Sequence, residues 1–117
     1  MNREERVFFH KTMTVECLIS SAAKHIDLLD CCNPELLLIW NEGHRNDREM
    51  MHTLFCYLRH MKSVSEAARE LHIHRSTLVY RVNKIAAQAH LDLDDGATVH
   101  HVLLTQDILR YLTHRPS

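Results

Sequence analysis

Residues able to do chemistry concentrate between Arg59 and His90. Six basic residues, Arg59, Lys62, Arg69, Arg75, Arg81 and Lys84, stand there against Glu66 and Glu70, a local balance of +4 in a 117-residue chain of formal net charge -1. Such an imbalance is the electrostatic footprint of a segment that meets a polyanion. An arginine presented there brings a planar fork able to grip paired acceptors, whether two phosphate oxygens or the O6/N7 edge of guanine.

Two other chemistries compete for attention. The chain has 11 histidines, and His52, Cys56 and His60 recur at four-residue steps. On a helix they fall opposite the Met51, Leu54, Phe55 and Leu58 stripe, which predicts an exposed face with ligand types for Zn²⁺ or Cu²⁺. Two successive four-residue steps, however, span more than about 10 Å of helix, too far for one ion to hold all three. The His72/His74 and His100/His101 pairs are no better supported, so neither a specific metal site nor a cofactor is expected. Unperturbed histidines titrate near pH 6.5, so His60, His72 and His74 are expected to strengthen polyanion binding on mild acidification. Nucleophilic catalysis fares worse. Ser, His, Cys and Asp are plentiful, but none pairs at a diagnostic spacing, and 2 glycines leave no oxyanion loop or phosphate cradle. An enzyme is not expected.

The elements that must position the basic segment are helices. A chain of 117 residues predicts one domain, and 2 Gly with 2 Pro are too few for a hairpin-rich β fold. Hydrophobic residues make up 45% and charged residues 25%, the usage of a folded domain. The apolar run Leu36 to Trp40 is the longest and the start has no signal-peptide core, so a cytoplasmic protein without a membrane segment is expected. Cys17, Cys31, Cys32 and Cys56 form no C-x-x-C pair, and reduced thiols are expected.

Val15, Leu18, Ile19, Ala22, Ile26 and Leu29 share one helical face, which predicts an amphipathic helix from Thr12 or Thr14 to Leu29. Its stripe fits either the domain core or a seam between two copies. Asn33 before Pro34, with Gly43 as a stop, predicts a short apolar helix over Pro34 to Glu42. Asp47 is the expected cap of the next helix, which runs to His60. Ser63 and Glu66 fit a capping box. The following helix buries Val64, Ala67, Ala68 and Leu71. After a three-residue break, a helix over Arg75 to Ala89 buries Leu78, Val82, Ile85, Ala86 and Ala89 and turns Ser76, Thr77, Tyr80, Lys84 and Gln88 outward. That linker length suits a bent helix-turn-helix, whose second helix enters the major groove of DNA. His74, Arg75, Ser76, Thr77 and Tyr80 would then reach base edges.

The run from Ser63 to Val82, with its core His74-Arg75-Ser76-Thr77-Leu78-Val79-Tyr80-Arg81, resembles the C-terminal helix-turn-helix of PucR/CdaR-type transcriptional regulators. Thr53-Leu54, Tyr57-Leu58, Leu91 to Asp95 and the closing helix, expected from Thr98 to Leu112, extend the resemblance. It implies an all-α helical bundle with a Fis-like helix-turn-helix over residues 33–117, and the apolar spacing adds an N-terminal amphipathic helical segment over 1–32, a dimerisation or linker helix. It implies sequence-specific binding of double-stranded DNA, with the residues matching His74, Arg75, Thr77 and Tyr80 facing the duplex. Lys62, Arg69 and Lys84 are candidate phosphate clamps, and Arg81 is a flanking candidate. A homodimer on half-sites about 34 Å apart is the economical arrangement, and regulators of this type carry an upstream sensory region. Two features depart from the pattern: tyrosine stands at position 80, where Fis-type motifs are usually basic, and histidine stands at turn position 72, often glycine. The alternative reading is a helical protein-interaction or dimerisation module without DNA binding.

Overall fold

Local caps set most of the helix boundaries in this computed structural model, which describes residues 2–114, with backbone alone at 7–12. Six α-helices follow in order: α1 (Arg3–Ala22), α2 (Pro34–Glu42), α3 (Arg45–Arg59), α4 (Val64–Leu71), α5 (Arg75–Gln88) and α6 (Gly96–Thr113), with a 3-10 turn over Leu28–Cys31. No strand occurs among the described residues. The protein is an all-α bundle.

α2 forms as the sequence dictates. Asn33 Oδ1 accepts from the backbone N–H of Glu35 at 3.1 Å and of Leu36 at 3.0 Å, Pro34 occupies the first turn, and Gly43 ends the helix at φ +76. The Arg48 guanidinium then covers the C-terminal end, donating to the Trp40 carbonyl at 2.9 Å while its Cζ lies 4.5 Å from the Trp40 ring centre. Asp95 caps α6 by accepting from Thr98 N–H at 3.2 Å.

Three boundaries differ from the sequence expectation. α1 starts about ten residues early because Asn2 and Glu5 close a capping box, and it stops at Ala22 rather than reaching Leu29. The apolar stripe is not buried as a whole: Ile19 is buried and Ala22 half-buried, whereas Val15, Leu18, Ile26 and Leu29 are exposed, and Leu28, outside the stripe, is buried instead. His44, not Asp47, stands at the N-cap of α3 and makes no side-chain cap bond. The Ser63 box is half formed. Its hydroxyl accepts from Glu66 N–H at 3.2 Å, but Ser63 N–H donates to the His60 carbonyl, and the Glu66 carboxylate turns to Arg69 at 3.7 Å.

α3 is the central helix, packed by α2, α4, α5 and α6. Its Met51, Leu54 and Phe55 join Leu36, Leu78, Ile85 and Val102 in the main core. Burying each such side chain contributes about 1.5–3 kcal/mol before the entropy of ordering it. Ala67 and Ala68, both buried, let α4 lie close to α5. A second cluster, Ile19, Leu28, Cys32 and Ile108, seats α1 and the 3-10 turn on α6. Polar bonds fix that junction. Asn33 N–H donates to Thr105 Oγ1 at 2.8 Å, Thr105 donates onward to the His101 carbonyl at 2.7 Å, and His101 Nε2 bonds the Cys31 carbonyl at 2.8 Å.

The ends of α3, α4 and α5 share one device. Each closes with a bond from the residue that follows a left-handed one to a carbonyl five residues back: Lys62 to Tyr57 at 2.9 Å, Ile73 to Ala68 at 3.1 Å and Leu91 to Ala86 at 2.8 Å. This geometry needs a left-handed residue, and Met61, His72 and His90 supply it, each at φ 55. The histidine at turn position 72 therefore adopts the conformation usually left to glycine.

Candidate nucleic-acid interface

α4, the turn at His72 and α5 form the helix-turn-helix. Leu78, Val82 and Ile85 bury one side of α5 against α3 and α4, and Ala89 closes it. Ala86, expected on that side, is half-buried. At 100° per residue the opposite side centres on Ser76, Tyr80, Asn83 and Ala87, all exposed, with Lys84 alongside. His74 and Arg75 are exposed at the helix start, while Thr77 and Arg81 are half-buried on its flank. Arg75 and Lys84 are nine residues apart, about 13.5 Å along the axis at 1.5 Å per residue.

The electrostatics of this face are one-sided. α5 contains no acidic residue, and among the described residues Arg75, Arg81 and Lys84 enter no ion pair. Lys84 Nζ lies 5.7 Å from the centre of the Tyr80 ring. His74 stands at the N-cap of α5 without a side-chain cap bond, so the first N–H groups of the helix are not satisfied by that side chain. Of the two basic candidates outside α5, Arg69 is exposed on α4 beside Glu66. Lys62 is engaged elsewhere: its ammonium donates to the Leu93 carbonyl and stands 3.9 Å from the Asp94 carboxylate. Asn83 was not among the sequence candidates, although its place seven residues after Ser76 signals the same face.

The histidine and cysteine reading needs correction. Cys56 does not share an exposed face with His52; it is 1% exposed and turned against α4. The reason is that α3 is surrounded by four elements, so its solvent arc is narrower than a two-faced helix would have. Cys56 Sγ donates to Glu70 Oε2 at 2.8 Å, His60 Nε2 lies 3.2 Å from Glu70 Oε1, and an Arg59 nitrogen lies 3.6 Å from Glu70 Oε2. Burial, then the bond to Glu70, pushes the Cys56 thiol up to about 11. The same thiol, followed by His60, holds the Glu70 carboxyl below its ordinary value. His52 instead packs edge-on between Trp40 and Phe55, with ring centres 5.9 and 6.4 Å away.

The comparison with known families now decides the class. The family described as the PucR C-terminal helix-turn-helix domain matches residues 50–105, which is α3 from Met50 through most of α6. Those residues belong to it. The chain is also 27% identical over 97 residues to the proline-responsive transcriptional activator PutR of Bacillus subtilis (strain 168), an alignment covering 83% of this chain and 24% of that protein. It is 31% identical over 72 residues to the purine catabolism regulatory protein of the same organism, covering 62% of this chain and 14% of that protein. The chain thus spans about a quarter and about a seventh of those two relatives. No solved structure is significantly similar to it. Among the described residues no helix is long and apolar enough to cross a membrane.

Proposed function

We propose that this PucR-type domain binds double-stranded DNA sequence-specifically, as the output domain of a transcription regulator, with α5 in the major groove. The observation that carries the reading is the outward face of α5, where Arg75, Ser76, Tyr80, Asn83 and Lys84 are exposed on a helix without an acidic residue. Arg75 and Ser76 open the helix, where a recognition helix meets base edges. His74, Thr77 and Arg81 border that face, and the first N–H groups of α5 suit a phosphate oxygen. Lys84 and Arg69 fix register through phosphates. Lys62 joins them once it leaves Leu93. Two copies bind together on half-sites about one helical turn apart, and the exposed Val15 and Leu18 of α1 offer the seam. A cytoplasmic setting goes with a duplex as ligand.

Fluorescence anisotropy of a labelled mixed-sequence duplex against salt, for the wild type and Arg75→Ala, tests this. Each phosphate contact steepens the log-log salt slope by about 0.9. A steep slope with weaker binding in the variant supports the reading. A flat slope with no binding at low salt overturns it and leaves a protein-docking module.

A further inference from the structure

We infer that Cys56, His60 and Glu70 form a binding site for a zinc-class divalent cation, joining the C-terminal end of α3 to α4. Their ligand atoms, Cys56 Sγ, His60 Nε2 and a Glu70 carboxylate oxygen, all lie within 4.8 Å of one another. Tetrahedral zinc with one sulfur and two N/O ligands places its donor atoms about 3.3–3.6 Å apart, given bond lengths near 2.3 and 2.0–2.1 Å. The sulfur lies 2.8 Å from one Glu70 oxygen, Oε2, and the His60 nitrogen 3.2 Å from the other, Oε1, so the carboxylate stands between the two and its rotation, with small shifts of the other side chains, brings one oxygen into such a set. A mixed sulfur, nitrogen and oxygen donor set selects zinc or a neighbouring transition metal over calcium or magnesium.

The backbone fits the same reading. Cys56 and His60 are four residues apart, so both project from one side of α3. Glu70 closes the set from the second turn of α4, which no spacing within α3 could reveal. Cys56 is buried, whereas the His60 and Glu70 side chains are 31% and 49% exposed, so an ion enters from their side and keeps a water at its fourth position. Binding releases the thiol proton to solvent and replaces the Cys56–Glu70 hydrogen bond with two bonds to the ion. A thiolate and a carboxylate neutralise the dication. The Arg59 guanidinium therefore meets little net charge, and with its side chain 43% exposed it is able to swing out. The ion would clamp α3 to the first helix of the helix-turn-helix.

Cobalt(II) titrated into the reduced chain reads the site directly, because a thiolate ligand gives a charge-transfer absorption that histidine and carboxylate ligands do not. The expected result is one equivalent bound with that absorption, a melting temperature that rises with added Zn²⁺, and survival of both when Cys17, Cys31 and Cys32 are replaced by serine. Cys56→Ser should abolish the absorption, and His60→Gln and Glu70→Gln should each weaken binding at least tenfold. Both of the latter residues are partly exposed and neither belongs to the apolar core, so those variants keep the test decisive if Cys56→Ser fails to fold. Absence of the thiolate absorption at equimolar cobalt would overturn the assignment. So would binding unchanged by Glu70→Gln, or an absorption that disappears with the Cys17, Cys31 and Cys32 replacements.

Discussion

Lys84 holds its ammonium 5.7 Å from the centre of the Tyr80 ring, one turn further along the exposed face of α5. The positive charge thus stands one turn beyond the tyrosine, with the ring beside it. An exposed cation–π contact contributes about 0.5–1 kcal/mol. If Lys84 clamps a phosphate, Lys84→Ala should lower the salt slope of duplex binding by about 0.9 and weaken all sequences alike. Tyr80→Phe should keep the slope, since the ring face remains. Equal slopes for Lys84→Ala and wild type would remove Lys84 from the contact set.

Asn83 stands at the middle of the same face, and an asparagine in the major groove can pair bidentately with adenine N6 and N7. In a selection from random duplexes, Asn83→Ala should relax preference at one position. Affinity for the best wild-type site should drop by about 1–3 kcal/mol while random DNA is bound as before. An unchanged selected motif would show that Asn83 faces the groove without reading it.

His72→Gly should stabilise the fold. A left-handed conformation costs a non-glycine residue about 1–2 kcal/mol, and glycine returns part of that as greater entropy of the unfolded chain. The net expectation is a gain of up to about 1 kcal/mol in urea unfolding, with duplex affinity retained. A loss of stability would mean that the His72 side chain contributes contacts exceeding its backbone strain.

Two thiols should resist modification and set the alkaline limit of the fold. Cys32 and Cys56 are buried, and burial is the first cause that pushes each up to about 11 from the usual 9.0. Cys32 is raised further by Cys31 and Asp27, and Cys56 by Glu70. A thiol-specific disulfide reagent at pH 8 should therefore label exposed Cys17 first, and Cys32 and Cys56 only as the protein unfolds. Because the folded state holds these protons more tightly than the unfolded chain, their contribution is complete below about pH 9. It is lost as pH rises toward 11, with a magnitude of at most a few kcal/mol. Stability that stays flat across that window would contradict it.

What the sequence made legible was local. Asn33, Pro34 and Gly43 define α2 through contacts within a few residues, and the spacing of Ala67, Ala68, Leu78, Val82 and Ile85 defines α4 and α5 because each helix has a clean buried side. The helix pair was therefore within one residue of its observed limits. The end of α1 was not legible, because Ile19 and Leu28 are selected by Ile108, some eighty residues away. Cys56 was misplaced for a similar reason. Its partner Glu70 comes from a different helix, and a wheel drawn for α3 alone does not show how many neighbours surround it. Lys62 read as a free cation from charge alone, although its ammonium has a partner in the Leu93 carbonyl.

Thr105 offers the sharpest test of the long-range part of the fold. It is fully buried, yet it donates to the His101 carbonyl and accepts from Asn33 N–H, so one hydroxyl holds the start of α2 against α6. Thr105→Val keeps the shape and removes the acceptor, leaving a partly buried N–H unpaired. That should cost about 1–3 kcal/mol in urea unfolding. Thr105→Ser keeps the hydroxyl and loses one methyl, a change of about 1 kcal/mol. Hydrogen exchange at the Asn33 amide should speed up in the valine variant and stay slow in the serine variant. Equal destabilisation with equal exchange would mean that methyl packing, rather than the hydroxyl bridge, fixes the junction.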